Sequence, residues 1–250
     1  MKSIQKLFQE SSGKVIYKWH HYLPIYESLF KKFSGKKIKV LEIGVLRGGS
    51  LKLWKEYFGA DAQIYGIDID PAARQYEAEG IKIFIGDQGN KNFMLRVAEE
   101  VGGFDIVIDD GAHTNFMVMT SWEALYPSTR YLYIVEDTHA LYWWWGFYSF
   151  FKDIKYAASG KKSVMEAFVR VLKVLMRALT RNLSFMNFVM RKQNALTTEW
   201  HGFIGKSGLG KNQNKPKVSP FVSMTAGIRV YDSLVVFEKE EQSPRVVEFR

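Results

Sequence analysis

Along most of the chain, short apolar runs alternate with segments whose apolar residues recur at helical spacing. In 15–33, Tyr22, Ile25, Leu29 and Phe30 fall roughly three or four apart, which predicts a helical entry segment. The rhythm is then regular. Apolar runs at 38–43, 63–67, 81–85, 104–108 and 131–135 predict strands. Segments 50–58, 71–79, 91–101 and 114–125 predict the helices between them. Alternation of this kind implies βαβ units and a mostly parallel sheet with helices on both faces.

After Trp145 the rhythm breaks. Residues 147–193 are helical in composition, and 205–220 are rich in Gly, Lys, Asn and Pro, which predicts a loop. Strand character returns at 223–230 and 234–237, with Tyr231-Asp232-Ser233 between them. That spacing predicts a hairpin closing the sheet with an antiparallel pair. The expected fold is α/β: a Rossmann-like, doubly wound, seven-stranded sheet. It forms one domain over 1–250, with a helical and loop insertion at 147–220 before the last two strands.

Composition narrows this picture little. A hydrophobic fraction of 47% in 250 residues supports a sizeable core. There are no cysteines, which excludes disulfides and thiolate metal sites. The first residues lack the apolar run of a signal peptide, and no uncharged apolar stretch is long enough to span a bilayer. The expected location is cytoplasmic. The net charge of +9 is uneven: 161–192 carries +7 and 199–217 carries +3, leaving the remainder near −1.

Candidate chemistry sits at the strand ends. The first strand runs into Leu41-Glu42-Ile43-Gly44-Val45-Leu46-Arg47-Gly48-Gly49-Ser50. Glycines at a strand-to-helix turn let backbone pass close under a ligand. Leu46 stands where the dinucleotide fingerprint needs its second glycine, which argues against NAD. The pattern resembles the first motif of class I methyltransferases, whose turn receives the amino-acid end of S-adenosylmethionine. The second strand ends in Asp68 and Asp70, and Asp68 is placed to accept hydrogen bonds from ribose hydroxyls. The third ends in Asp87-Gln88, where a carboxylate can accept an adenine amino group.

The fourth strand leads to Asp109-Asp110-Gly111-Ala112-His113 and the fifth to Glu136-Asp137-Thr138-His139. Carboxylates converging on one edge repel unless a cation or protons compensate them. Oxygen ligands suit Mg²⁺, Mn²⁺ or Ca²⁺. His113, three residues beyond Asp110, could act as general base. The competing reading is structural: such acids also cap helices, and a histidine at a turn is often only a satisfied polar residue.

These residues, taken in order, resemble the metal-dependent sugar O-methyltransferases of antibiotic pathways, the mycinamicin and rhamnosyl enzymes, to which cephalosporin-hydroxylase-like proteins are related. The resemblance rests on His21-Tyr22 through Tyr26-Glu27 and on the stretches 41–51, 65–71, 83–88, 104–114, 133–139 and 230–239. It implies that Glu42, Gly44, Ser50, Asp68, Asp87 and Gln88 contact S-adenosylmethionine. It implies that Asp110, Glu136 and Asp137 hold Mg²⁺ (or Mn²⁺) and that His113 is the base. The acceptor would be a hydroxyl of a saccharide, free, glycosylated or lipid-linked.

The basic segment remains. Glu166, Arg170, Lys173, Arg177 and Arg181 recur at helical spacing, with Val164, Phe168, Val171, Leu172, Leu175, Met176 and Leu179 on the other faces. Such a helix is a lid, an interface in a homo-oligomer, or a peripheral membrane contact through 161–193. Tyr142 and Trp143-Trp144-Trp145 form a sugar-stacking platform or pack beneath the insertion. The alternatives in function are a nucleic-acid methyltransferase, disfavoured because no Asn/Asp-Pro-Pro-Tyr motif is present, and a non-catalytic membrane-associated module that binds the same cofactor.

Overall fold

The structure, a computed structural model, describes residues 2–11, 16–141, 185, 187–193, 195–196 and 220–240. A seven-stranded sheet runs through them: β1 (Lys39–Ile43), β2 (Gln63–Asp68), β3 (Ile81–Ile85), β4 (Phe104–Asp109), β5 (Thr129–Val135), β6 (Thr225–Tyr231) and β7 (Leu234–Lys239). Its spatial order is β3-β2-β1-β4-β5-β7-β6. β1 to β5 are parallel, and β7 is antiparallel to both β5 and β6. The doubly wound expectation holds, including the closing hairpin.

Sheet order reverses at β1, whose neighbours are β2 and β4. Such a switch point opens a crevice beyond the carboxyl ends of the strands. β1 is buried at every position after Lys39, Glu42 included, as suits a strand covered on both faces.

Helices α1 (Ile4–Glu10), α2 (Tyr22–Phe30) and α3 (Gly49–Phe58) cover one face. Tyr22, Tyr26, Phe30, Trp54 and Phe58 pack there against Val40, Ile64 and Ile106. α4 (Lys91–Val101) and α5 (Asn115–Leu125) cover the other, where Met94, Val97, Val118 and Trp122 meet Leu41, Val107 and Tyr133. Side-chain caps fix the starts of α4 and α5: Asn90 accepts from the Phe93 N–H and Thr114 from the Met117 N–H.

Four boundaries differ from the pattern. Residues 16–19 are not helical; α2 begins only at Tyr22, so the entry segment is half strap and half helix. The helix expected at 71–79 is a single 3-10 stretch, Pro71–Tyr76, started by Pro71 and the Asp70 cap. β5 begins at Thr129, before its apolar run. A short helix, Pro220–Met224, precedes β6 where loop and then strand were expected.

Of the insertion at 147–220, residues 185, 187–193 and 195–196 are helical, and Phe185, Phe188 and Val189 join the core beside Trp122. The aromatic run at 142–145 and the cationic face at 166–181 lie outside the described residues. Among the described residues no helix is long and apolar enough to cross a membrane.

Candidate active site

The carboxyl ends of β1 to β5 border one cavity of about 470 Å³. Gly44, Val45, Leu46, Gly49 and Ser50 wall it at β1, with Asp68 and Ile69 at β2 and Asp87 and Gln88 at β3. Asp110, Gly111, Ala112, His113 and Asp137 wall it at β4 and β5, and Ile16 and Tyr17 of the entry strap at the remaining side. The sheet ladder continues past the strand ends and fixes this rim. Gly44 N–H donates to Ile67 O (2.8 Å), Asp110 N–H to Ile43 O (3.0 Å) and Glu136 N–H to Asp109 O (2.9 Å).

Local backbone is unusual on this rim. Leu46, His113 and Asp137 adopt left-handed φ values of 50°, 50° and 51°. Side chains pay strain there, and such strain gathers where a loop has been shaped for a ligand or a reaction. Gly44 has φ 91°, and a Cβ on it would run into the Asp110 carbonyl oxygen. Only glycine lets the β1 turn lie against the β4 turn.

On the donor half, Asp68 acts first on its own protein. Its Oδ2 accepts from Val45 N–H (2.9 Å) and Leu46 N–H (3.1 Å), and Oδ1 from Asp70 N–H (2.9 Å), which pins the β1 turn to β2. Gly48 starts α3 in the left-handed region with no side-chain cap, so the first N–H groups of the helix are left for other acceptors. Gln88 joins β3 to β4: its Oε1 accepts from Ala112 N–H, and its Nε2 donates to Asp109 Oδ1 (2.7 Å) and Ser121 Oγ (3.1 Å). Glu42 is fully buried behind the wall, with Ser50 Oγ donating to its Oε2 (2.6 Å).

On the reaction half, the acids expected as metal ligands fall into two groups that share Asp110. The outer group is Asp110, His113 and Asp137; the inner is Glu42, Asp110 and Glu136. In each, the potential ligand atoms lie within 4.8 Å of one another. In the outer group His113 Nε2 stands 3.6 Å from Asp110 Oδ1 and 3.8 Å from Asp137 Oδ2, and all three side chains are about a quarter exposed. In the inner group the side chain of Lys18, 1% exposed, places Nζ 2.9 Å from Glu42 Oε1, 2.6 Å from Asp110 Oδ2 and 2.5 Å from Glu136 Oε1.

Burial alone would depress the Lys18 ammonium, but the charges of Asp110, Glu136 and Glu42 outweigh it and hold Lys18 well above the usual lysine range. One ammonium does not balance three carboxylates. Burial, then the neighbouring Asp110, raises the Glu136 carboxyl to about 8.

The strap and α2 supply the other donors. Tyr26 OH donates to Glu136 Oε1, and Trp19 Nε1 and Tyr22 OH donate to Asp137 Oδ1 (3.0 Å each). Lys18, Trp19, Tyr22 and Tyr26 were not singled out as site residues from sequence, although the stretch His21-Tyr22 through Tyr26-Glu27 carried part of the resemblance. Asp109, one residue before Asp110, faces the core: it is 1% exposed and accepts from Gln88, Ser121 and Tyr133.

No family model matches the chain. Over 133 residues, 50% of the chain, it is 41% identical to mycinamicin VI 2''-O-methyltransferase of Micromonospora griseorubida, covering 33% of that protein. Over 138 residues it is 38% identical to demethylmacrocin O-methyltransferase of Streptomyces fradiae, covering 34% of it. A third relative, a tetracenomycin-pathway rhamnosyl 3'-O-methyltransferase of Streptomyces olivaceus, is 37% identical over 133 residues. The chain spans about a third of the length of these curated relatives. Among solved structures, a mycinamycin-pathway methyltransferase in complex with Mg, SAH and mycinamycin VI superposes with a TM-score of 0.68 at 26% identity. That match covers 98% of this chain and 57% of the other. A second crystal structure of that enzyme, with Mg and SAH, gives the same TM-score at 27% identity. The resemblance stated from the motifs is therefore borne out: the chain is similar to sugar O-methyltransferases in sequence and in fold.

Proposed function

We propose that this chain is an S-adenosylmethionine-dependent, metal-assisted O-methyltransferase acting on a saccharide hydroxyl. The observation that carries the reading is a single cavity. Gly44, Ser50, Asp68, Asp87 and Gln88 line one half of it, and Asp110, His113 and Asp137 the other. The kinship with sugar O-methyltransferases, some solved with Mg and SAH, supports the same assignment.

In this reading the β1 turn and the uncapped start of α3 receive the amino-acid end of the donor, whose carboxylate suits free helix N–H groups. Asp68 takes the ribose hydroxyls, and Asp87 with Gln88 the adenine. Glu42, buried, serves the donor through Ser50. The oxygen-rich donor set at Asp110 and Asp137 fits a hard divalent cation such as Mg²⁺ or Mn²⁺, with Glu136 standing behind as the third acid.

When bound, the ion supplies Lewis acidity to a hydroxyl, and S-adenosylmethionine supplies the methyl group. The protein's own part is positioning and proton transfer. His113 Nε2 faces the space between Asp110 and Asp137 and takes the hydroxyl proton as the oxygen–methyl bond forms and the sulfur–methyl bond breaks. The cavity holds both partners in line, which replaces much of the entropic cost of their encounter. The site's acidity also speaks against a phosphate-tracking nucleic-acid enzyme. We further propose a cytoplasmic location, with the insertion as the place where a larger acceptor or a membrane surface would be met.

The test is calorimetric titration of S-adenosylhomocysteine, with Mg²⁺ and with EDTA, into the wild type and Asp68→Ala. Micromolar binding that weakens at least tenfold in the variant, about 1.4 kcal/mol, is expected. No binding by the wild type under either condition would end the enzyme reading.

A further inference from the structure

We propose that Gln88 is a positioning residue that couples the donor half of the cavity to the loop carrying His113. One side-chain amide holds that loop at its start, middle and end, and it stands in the wall proposed for the donor's adenine. The donor's part rests on the function proposed above; the hold on the loop rests on geometry alone.

The loop leaves β4 at Asp109 and enters α5 through the Thr114 cap. Gln88 Nε2 donates to Asp109 Oδ1 (2.7 Å), where the loop begins, and to Ser121 Oγ (3.1 Å), on the helix that follows it. Gln88 Oε1 accepts from the N–H of Ala112 (2.9 Å), the residue before His113. The amide cannot be turned over: Ala112 N–H needs an acceptor, and an ionised Asp109 carboxylate needs donors. Asp109 is itself fixed, since its Oδ2 accepts from Ser121 Oγ (2.5 Å) and Tyr133 OH (3.2 Å). Gln88 is 6% exposed, Asp109 1% and Ser121 fully buried, so water competes little for these bonds.

Both amide hydrogens of Gln88 are spent on the protein. Its Oε1 takes one N–H among the described residues, and an amide oxygen can accept two. Gln88 lines the cavity beside Asp87, and Gly111 leaves Oε1 its room: a Cβ on Gly111 would run into that oxygen. An adenine amino group bonded to Oε1 would share its acceptor with Ala112 N–H. Donor occupancy then stiffens the amide that fixes the loop, and by linkage an ordered loop favours the donor. His113 has need of such a hold. Its backbone stands at φ 50°, a conformation that surrounding structure must impose on a side-chain-bearing residue.

The experiment is amide hydrogen exchange read at Ala112, in the wild type and Gln88→Met, with and without S-adenosylhomocysteine. Calorimetry on the same preparations gives the affinity. Methionine keeps the length of the side chain and removes its donor and acceptor. Without ligand, Ala112 should exchange about tenfold faster in the variant. Saturating S-adenosylhomocysteine should slow Ala112 at least about fivefold in the wild type and leave it unchanged in the variant. Val45 and Leu46, whose N–H groups Asp68 holds, should respond to the ligand in both. The variant should bind the ligand about tenfold more weakly. A glutamine that merely stabilised the fold would keep the ligand's effect at Ala112 after substitution. That result would overturn the proposal, as would equal exchange at Ala112 in the two unliganded proteins, or a ligand that binds the wild type without slowing Ala112.

Should Gln88→Met not fold, Ser121→Ala decides, because it removes one anchor behind the wall and no group of the cavity. It should speed Ala112 exchange about threefold, and an unchanged rate refutes the proposal. A wild type that binds no S-adenosylhomocysteine would count against the methyltransferase reading, while the unliganded comparison still judges the hold on the loop.

Discussion

The two halves of the cavity are built in different ways. The donor half, at the ends of β1 to β3, is shaped by backbone: a glycine turn, an uncapped helix start, and Asp68 holding two N–H groups of the loop. Its polar residues are mostly part-exposed. The reaction half, at β4 and β5, is shaped by side-chain charge, with Glu136 buried and Asp110 held to Lys18 from a distant part of the chain. Apart from Asp68 and Gln88, which hold their loops, a backbone-built half should tolerate polar substitutions and fail on steric ones. A charge-built half should do the reverse. The contrast can be pressed by substitution on each side.

The largest effect is expected on the reaction half. His113→Ala removes the proposed base and should lower turnover by about 10² to 10⁴, the range for a positioned acid–base group. It should leave S-adenosylhomocysteine affinity within about twofold. Steady-state rates and calorimetry on one preparation check both statements. Equal losses in rate and donor binding would mean that His113 only holds the loop. Its left-handed backbone, φ 50°, makes that alternative concrete, and His113→Asn, a residue at ease in that conformation, separates the two.

On the donor half the corresponding change is Gly44→Ala. The added methyl meets the Asp110 carbonyl oxygen in a backbone conformation that disfavours any side chain. A loss of at least 1–3 kcal/mol in unfolding free energy is expected from strain alone, together with weakened donor binding. Denaturant unfolding measures the first and calorimetry the second. A variant as stable as the wild type would show that the two turns can part, and the backbone-built description would fail.

This contrast also explains what the sequence could reveal. The donor half is legible because its signals are local: Glu42, Gly44 and Ser50 lie within nine residues, and a strand followed by a glycine turn and a helix has one spatial meaning in a parallel sheet. The reaction half was only partly legible. That the acids of β4 and β5 meet follows from strand adjacency. Which of Asp109 and Asp110 faces the cavity does not, because the two differ by one step at the strand end, where the two-residue period of side chains breaks off. Lys18 carried no signal. Its partners lie 24, 92 and 118 residues away, and a lone lysine in a segment read as helical gives no sign of burial. The basic helical spacing at 166–181 lies outside the described residues; among those described, Lys18 is paired with Glu42, Asp110 and Glu136.

The smallest effect tests the acid that faces away from the cavity. Asp109 is buried beneath the reaction half, and burial raises its carboxyl to about 6 against the donors Gln88, Ser121 and Tyr133. A folded-state pKa above the unfolded value means that the native state binds its proton more tightly. The stability this proton contributes is complete below about pH 4 and is lost as pH rises through about 6. Asp109→Asn cannot titrate, so its unfolding free energy, measured in EDTA from pH 4 to pH 7, should lack that component of the slope. The amide also points an N–H₂ group into a site already filled with donors, which should cost about 1–3 kcal/mol at every pH. If the variant keeps the full wild-type slope, the titration belongs to the cavity acids and not to Asp109. The reaction half would then carry its pH sensitivity on the surface that binds ligand, and its charge-built character would extend to the cavity wall itself.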